Sequence, residues 1–229
     1  MTDDCVRVSL LQCPLFKQAD NRVLQQWLDA LTLACERYEQ NQVINFQGDA
    51  YDQLKVLISG RVSAQFQDYS GKVMRVETLE APEAVATAVL FSREQKLPVT
   101  LVAETEVSLV RISKKALLNL MQRDISVLEN LLTDMGDRLV FLAEKARLLR
   151  FSNLRQKIAS YLLSLFTSMS RTVELPYTRE KLAEMFGVER PSLSRELSRM
   201  DEEGIISLDG KRVTVPRIED LEEILDLFD

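Results

Sequence analysis

The chain has 229 residues, of which 46% are hydrophobic and 28% charged, and a formal net charge of −6. This length suits two domains of about 100 to 150 residues, and no apolar run reaches the roughly 18 residues of a membrane span. Histidine is absent, which removes the usual base of nucleophilic triads and the commonest ligand of zinc and haem. We expect a protein that is not an enzyme, holds no metal and has no membrane partner.

The N-terminal residues are acidic where a secretory signal is basic, and no apolar segment follows them. We therefore expect a cytoplasmic protein. Three cysteines, Cys5, Cys13 and Cys35, are odd in number and do not suggest a disulfide framework. A thiol redox switch at one of them is an alternative to a buried core thiol.

The region from about residue 38 to residue 112 alternates short β-type runs with turn signals. Residues 55–58 and 61–66 have the length of strands, and Gly60 between them suits a tight reversal. These features predict a small antiparallel barrel or sandwich, and we expect a β-barrel of the jelly-roll or cupin-like kind in an α+β protein. Upstream, apolar residues at three- to four-residue spacing predict an amphipathic helix over 21–38 that caps the barrel.

After Lys114 the apolar residues recur at alternate steps of four and three, as heptad a and d positions do. Ser126 and Glu129 form a capping-box pattern, which predicts a helix from there to about Leu149. A seam this regular favours a partner helix over burial against the helix's own domain alone, and we expect a two-fold homodimer. The predicted dimer interface comprises Leu128, Leu132, Met135, Leu139, Leu142 and Ala146.

Two short helical patterns separated by a glycine occupy residues 178–200. Thr178 can cap the first helix and Gly187 permits the turn. In the second helix one face is apolar, and the opposite face presents Arg195, whose guanidinium can form two hydrogen bonds with guanine O6 and N7. A surface αα-corner is the alternative interpretation, but a strand, an Asp-Gly turn and a second strand follow over 204–215, which is typical of a basic wing.

Charge is unevenly distributed in this part of the chain. Residues 150–215 contain eleven Lys and Arg against nine Asp and Glu, whereas residues 216–229 contain one against six. The acidic tail is predicted to form an amphipathic closing helix. We predict a β-barrel sensor domain over 1–122, a dimerisation helix over 123–150 and a winged helix-turn-helix domain over 151–229.

Over almost its whole length the sequence resembles the CRP/FNR family of transcription regulators. The motifs that carry the resemblance are Gly48-Asp49, Leu57 to Val62, Asp68 to Lys72, Gly136 to Leu139, and the run from Thr178 to Lys211. It implies a homodimer that binds double-stranded DNA at a palindromic operator, with RNA polymerase as a further partner if the protein activates transcription. A ligand-binding module that acts on a protein partner without binding DNA is the alternative.

The resemblance also implies roles for individual residues of the second half. Base-reading positions are Arg190, Pro191, Ser194 and Arg195; phosphate positions are Thr178, Arg179, Ser192, Arg199, Lys211 and Arg212. Pro191 departs from the family, which commonly has a glutamate there that can accept from cytosine N4, so the operator should differ at that base pair.

The effector is less well defined by the sequence. Cyclic-nucleotide-binding members of the family have a Gly-Glu pair and an Arg-Ser pair, and here the matching stretches are the apolar residues 84–91 and Leu97-Pro98. Burying a phosphate without such groups is costly, so cAMP is not expected. Haem held by methionine, cysteine or the N-terminus is an alternative, as is an uncharged effector. Residues predicted to line the pocket are Val85, Thr87, Leu90, Phe91, Leu97 and Val99.

Overall fold

This computed structural model describes residues 3–31, 33–67, 73–166 and 171–226. The chain divides into two compact units, Met1–Asp137 and Arg138–Asp229. The division falls inside the long helix, which contributes buried side chains to the core of each unit. The predicted boundaries at residues 122 and 150 stay a prediction. The turn motif at 68–72 and the tail residue Phe228 lie outside the described residues.

The first unit consists of helices, one short 3₁₀ helix and two β-sheets. Its helices are α1 (Asp3–Gln12), the 3₁₀ helix (Pro14–Phe16), α2 (Asn21–Asp29), α3 (Thr87–Phe91), α4 (Lys114–Arg123) and the first part of α5 (Ile125–Leu148). Its strands are β1 (Ala34–Tyr38), β2 (Val43–Asn45), β3 (Gln53–Ser59), β4 (Arg61–Gln67), β5 (Val73–Glu80), β6 (Glu83–Val85), β7 (Thr100–Ala103) and β8 (Val107–Ser113).

The strands form two four-stranded antiparallel sheets, in the orders β1-β8-β3-β6 and β2-β7-β4-β5. A jelly-roll arrangement is therefore present, as predicted, and of the barrel and the sandwich it takes the two-sheet form, since no described strand pairs one sheet with the other. Apolar residues from both sheets, such as Val56 of β3 and Val62 of β4, share one core. This packing of two apolar faces replaces closure by hydrogen bonds.

Gly60 connects two strands that lie in different sheets, so it forms a corner and not the hairpin reversal that the sequence suggests. Its φ is +89°, a region that glycine adopts without a steric penalty. An added Cβ would also collide with the backbone oxygen of Glu106. The glycine is required both by its backbone conformation and by this close approach.

The helix predicted over 21–38 is shorter than expected. α2 is capped by Asp20, whose carboxylate accepts hydrogen bonds from the amides of Arg22 and Val23, and it ends at Asp29. Beyond it, residues Ala34–Tyr38 form β1, which pairs with β8. The three- to four-residue spacing of apolar positions extends into residues that form a strand. There, pairing with the sheet and not the local spacing sets the conformation.

Helix α5 begins one residue earlier than predicted, because Asp124 and not Ser126 caps it. The Asp124 carboxylate accepts from the amide of Ser126 at 3.0 Å and from the amide of Asp20 at 2.5 Å. The hydrogen bond from Asp20 is the main reason that the pKa of Asp124 is lowered. The same carboxylate therefore starts α5 and ties it to the segment before α2.

The second unit packs helices around a small sheet. It contains the end of α5, then α6 (Leu154–Leu165), β9 (Thr172–Glu174), α7 (Arg179–Phe186), α8 (Arg190–Glu202), β10 (Ser207–Asp209), β11 (Arg212–Thr214) and α9 (Ile218–Asp226). The strands pair antiparallel in the order β10-β11-β9. The predicted closing helix is α9, which buries Leu221 and Ile224. None of the helices in the described parts of the chain is long and apolar enough to cross a bilayer.

Candidate nucleic-acid interface

Helix α7 and the turn after it form as the sequence predicts. The Thr178 hydroxyl caps α7 by accepting from the amide of Lys181 at 3.3 Å. Leu182, Ala183 and Phe186 are buried. Gly187 ends the helix with φ +69°, the left-handed conformation that glycine commonly provides at this position.

Helix α8 has one buried face and one exposed face. Leu193, Leu197 and Met200 are buried in the core of the second unit. The predicted base-reading residues, Arg190, Pro191, Ser194 and Arg195, are all exposed. Of the predicted phosphate contacts on this helix, Ser192 is half-buried and Arg199 is exposed. The helix thus presents polar side chains to solvent over its N-terminal turns while its apolar stripe holds it in place.

The two arginines of this face have intramolecular partners. Arg195 donates from Nε to the carbonyl of Pro191 at 3.3 Å, and its Nη2 lies 3.4 Å from the Ser192 hydroxyl. Arg190 forms an ion pair with Glu180 of α7 at 3.0 Å. Hydrogen bonding to its own backbone amide, and then Arg190, lower the pKa of Glu180, so this partner stays ionised. Pro191 lies in the first turn of α8, where proline costs no helix hydrogen bond.

The wing lies beside the start of α7. Strands β10 and β11 meet at Gly210, and the cations Lys211 and Arg212 that follow are exposed. Arg179 is half-buried and its Nη2 donates to the carbonyl of Gly210 at 3.4 Å. Burial lowers the pKa of Arg179. The residue therefore links α7 to the wing tip.

Sequence reasoning missed a second set of contacts that holds α8. Arg155 of α6 pairs with Glu196 of α8 at 2.6 Å and with Glu203, just beyond α8, at 2.7 Å. These bonds, that with Glu203 foremost, raise the pKa of Arg155 further above its usual range. Arg155 is far in sequence from both glutamates, so no local spacing could predict these ion pairs. The Glu180–Arg190 pair also joins two helices, and the sequence did not predict it either.

The heptad seam of α5 is largely exposed in the single chain. In the first unit Leu132 is 58% exposed, while Leu128 and Met135 are half-buried against the core. In the second unit Leu139 and Leu142 are exposed, as is Ala146. The helix residues that are buried lie outside the seam, among them Val127 and Leu131 in the core of the first unit and Phe141 and Leu148 in the core of the second.

The predicted effector residues lie in the core of the first unit. Val85, Thr87, Leu90 and Leu97 are buried, and Phe91 and Val99 are half-buried against the same core. Thr87 is the one of these six that also lines a described cavity. The assignment of the six residues to an effector pocket stays a prediction.

The cysteines for which side chains are described differ in environment. Burial raises the pKa of the Cys13 thiol to about 12, with Glu83 and Asp134 adding to the shift. A thiol that stays protonated is a poor nucleophile and a poor ligand. Cys35 is exposed on β1, and the side chain of Cys5 lies outside the described residues. No group of three or more Cys, Asp or Glu suited to a metal occurs in the described ranges.

A helix-turn-helix with a basic wing, preceded by a jelly-roll unit and a long helix, defines the class of two-domain, DNA-binding transcription regulators. Comparison with known families identifies both parts. Residues 35–124 match the cyclic nucleotide-binding domain, and residues 156–224 match the Crp-like helix-turn-helix domain. The chain belongs to the CRP/FNR family of transcription regulators, and it is not an enzyme.

Individual relatives cover most of the chain. The probable transcriptional regulator flp of Lacticaseibacillus casei is 28% identical over 213 residues, 92% of this chain and 94% of that protein. The cAMP-activated global transcriptional regulator Vfr of Pseudomonas aeruginosa is 26% identical over 198 residues, 82% and 92% of the two chains. The crystal structure of the Thermus thermophilus Catabolite Activator Protein matches with a TM-score of 0.53 and 25% identity, over 94% of this chain and 100% of that one.

Proposed function

We propose that the protein is a homodimer that binds a palindromic operator in a sequence-specific manner. The observation that carries this proposal is the exposed face of α8, with Arg190, Ser194 and Arg195, in the same unit as a basic wing. Arginine is the side chain that most often reads guanine in the major groove. Two such helices related by two-fold symmetry read half-sites about one helical turn, or roughly 34 Å, apart.

Affinity and sequence choice come from different residues in this proposal. Thr178, Arg179, Ser192, Arg199, Lys211 and Arg212 contact phosphates, which supplies affinity that falls as salt rises. Arg190, Ser194 and Arg195 contact base edges, while Pro191 offers no side-chain hydrogen bond and removes discrimination at its position. If the protein activates transcription, RNA polymerase is a further partner.

The exposed seam of α5 is the proposed dimer interface, comprising Leu128, Leu132, Met135, Leu139, Leu142 and Ala146. Large apolar side chains on this seam are more than half exposed in the single chain, including Leu132 and Leu139. A partner helix that covers them removes this apolar surface from water. The long helix then joins the two copies along the heptad positions.

The effector is proposed not to be a cyclic nucleotide, although relatives such as Vfr are cAMP-activated. Side chains of the matching stretch, such as Val85, Leu90 and Leu97, are fully buried and apolar. Lys114 lies beside it, but its ammonium donates to the carbonyl of Leu90 at 2.9 Å. A cyclic phosphate here would lose its hydration without a guanidinium to replace it. Saturable binding of cAMP in a calorimetric titration would contradict this part.

The base-reading role is tested by Arg195→Ala, with Arg217→Ala as the matched control. Arg217 is an exposed arginine beside α9, outside the helix-turn-helix. Its replacement by alanine removes the same charge as Arg195→Ala without changing α8. Fluorescence anisotropy on the preferred duplex and on unrelated duplexes should show that Arg195→Ala loses about 1 to 3 kcal/mol on the preferred duplex only. Equal weakening on all duplexes contradicts base reading, and wild-type protein that binds no DNA supports the ligand-binding module instead.

A further inference from the structure

The two predicted base-reading arginines of α8 differ in the groups that hold them. Arg195 bonds to the carbonyl of Pro191 and the hydroxyl of Ser192, which are uncharged and belong to α8 itself. Arg190 pairs instead with the carboxylate of Glu180, on α7, at 3.0 Å. Of these two arginines, Arg190 is therefore the one whose charge is balanced by a group from the other helix of the motif.

Glu180 has a defined position at the start of α7. It lies in the first turn of that helix, where the positive end of the helix dipole favours a carboxylate. Hydrogen bonding to its own backbone amide, then Arg190 and the hydroxyl of Thr178, lower the pKa of Glu180. The carboxylate therefore stays ionised and close to the backbone of α7, so it can orient an arginine that reaches it from α8.

The atom of Arg190 that Glu180 contacts decides which edge of the guanidinium can face DNA. A guanidinium presents two parallel N–H groups along either of two edges, one made by Nε and Nη2 and the other by Nη1 and Nη2. Glu180 engages Nε. The edge made by Nη1 and Nη2, at the end of the side chain, is therefore the one that can form the two hydrogen bonds with guanine O6 and N7.

The same ion pair makes Arg190 a poor contact for phosphates. Binding to DNA of any sequence depends on cations that neutralise phosphates. The charge of Arg190 is balanced by a carboxylate 3.0 Å away, and that carboxylate repels a phosphate that approaches the pair. A base contact depends instead on the direction of the donors. Glu180 therefore weakens non-specific binding more than it weakens the contact with guanine.

We propose that Glu180 is a positioning residue that acts through Arg190 and raises the preference of the protein for its operator over other DNA. It orients the arginine toward a base and keeps it from phosphates. Specificity is the ratio of the two affinities, so a group that lowers non-specific binding contributes to it as a base contact does. This role rests on the proposed function, because it requires that Arg190 reads a base.

Fluorescence anisotropy with the full chain and its Glu180→Ala variant tests this role. Glu180 is exposed, so the variant keeps its core. Unrelated duplexes should be bound about fivefold more tightly, and the slope of log affinity against log salt concentration should steepen by about 0.9, because the released Arg190 contacts one further phosphate. Affinity for the preferred duplex should change by less than about twofold, so the preference for it falls.

The Arg190→Ala background shows whether Glu180 acts through the arginine. In that background Glu180→Ala should change neither the affinity for unrelated duplexes nor the salt slope, because no guanidinium is released. Glu222→Ala, which removes an exposed carboxylate from α9 of the same unit, is the matched control and should behave as the wild type. An unchanged preference in Glu180→Ala, or an equal effect in the Arg190→Ala background, overturns the role.

A spectroscopic measurement without DNA separates failure of this role from failure of the proposed function. In the ¹H–¹⁵N NMR spectrum of the full chain, the Nε–H signal of Arg190 is identified by its loss in Arg190→Ala. This signal should shift in Glu180→Ala and stay in place in Glu222→Ala, and a signal that does not shift in Glu180→Ala overturns the positioning role. Wild-type protein that prefers no duplex overturns the proposed function and, with it, the effect on specificity, even where the signal shifts.

Discussion

Helix α8 of the second unit exposes its candidate binding residues to solvent, whereas the segment 84–99 of the first unit buries most of its predicted effector residues. On α8, Arg190 and Arg195 are exposed on a helix that is fixed by its buried stripe. In the segment 84–99, Leu90 and Leu97 are fully buried in a continuous core. The helical repeat of 3.6 residues is enough to place polar side chains on one exposed face of a surface helix. A ligand pocket exists only where the packing of the core leaves space.

The largest expected effect is a difference in the free energy of unfolding between a variant in the segment 84–99 and a variant on the exposed face of α8. Leu90→Ala should lower the free energy of unfolding by about 2 to 5 kcal/mol, because it removes buried atoms and leaves a cavity. Ser194→Ala on the exposed face of α8 should change it by less than about 0.5 kcal/mol. Urea denaturation followed by circular dichroism measures both, and a Leu90→Ala variant as stable as the wild type would show that the segment is not core.

The second-largest expected effect concerns the heptad seam of α5, which is exposed in the single chain like the polar face of α8. Leu132→Asp should raise the dimer dissociation constant by about 100-fold, because the interface would bury a carboxylate without a partner. Val140→Asp is the control, since Val140 is equally exposed, at 60%, but lies about 100° around the helix from Leu139. Analytical ultracentrifugation should find only the first variant dissociated. Unchanged dimers in both variants place the interface elsewhere.

The smallest effect concerns the contacts that orient α8. Arg155→Gln removes the ion pairs with Glu196 and Glu203 and should lower the free energy of unfolding of the second unit by about 1 kcal/mol. Arg217→Gln, which removes an exposed arginine paired within its own segment, should have no measurable effect. Thermal denaturation compares the two variants, and equal melting temperatures would mean that the Arg155 contacts do not stabilise α8.

How much the sequence could predict depends on how local each feature is. The cap at Thr178, the turn at Gly187 and the buried stripe of α8 follow from spacing within a few residues, and all three are confirmed. The predictions that one helix extends over all of 21–38 and that Gly60 forms a hairpin are wrong. In both places the structure is decided by strand pairing between residues far apart in sequence. Long-range pairing also decides between the barrel and the sandwich, both of which the strand pattern allowed.

The candidate site shows the same division. Exposure of Arg190 and Arg195 could be predicted from helical period, whereas their partners Glu180, Pro191 and Ser192 depend on how side chains fold over the surface. The cavity that Thr87 lines brings together residues from three distant segments. No pattern within one segment could predict it, since its walls meet only after the unit has folded.

Selection of bound sequences from a random duplex pool with the purified full chain tests whether the protein is a dimer that reads DNA through α8. We expect enrichment of a palindrome whose half-sites lie about one helical turn apart. We also expect Arg195→Ala to lose the enrichment at one base pair of each half-site while Arg217→Ala retains it. Enrichment of no sequence, or of a sequence without two-fold symmetry, would contradict a dimeric regulator that reads DNA through α8.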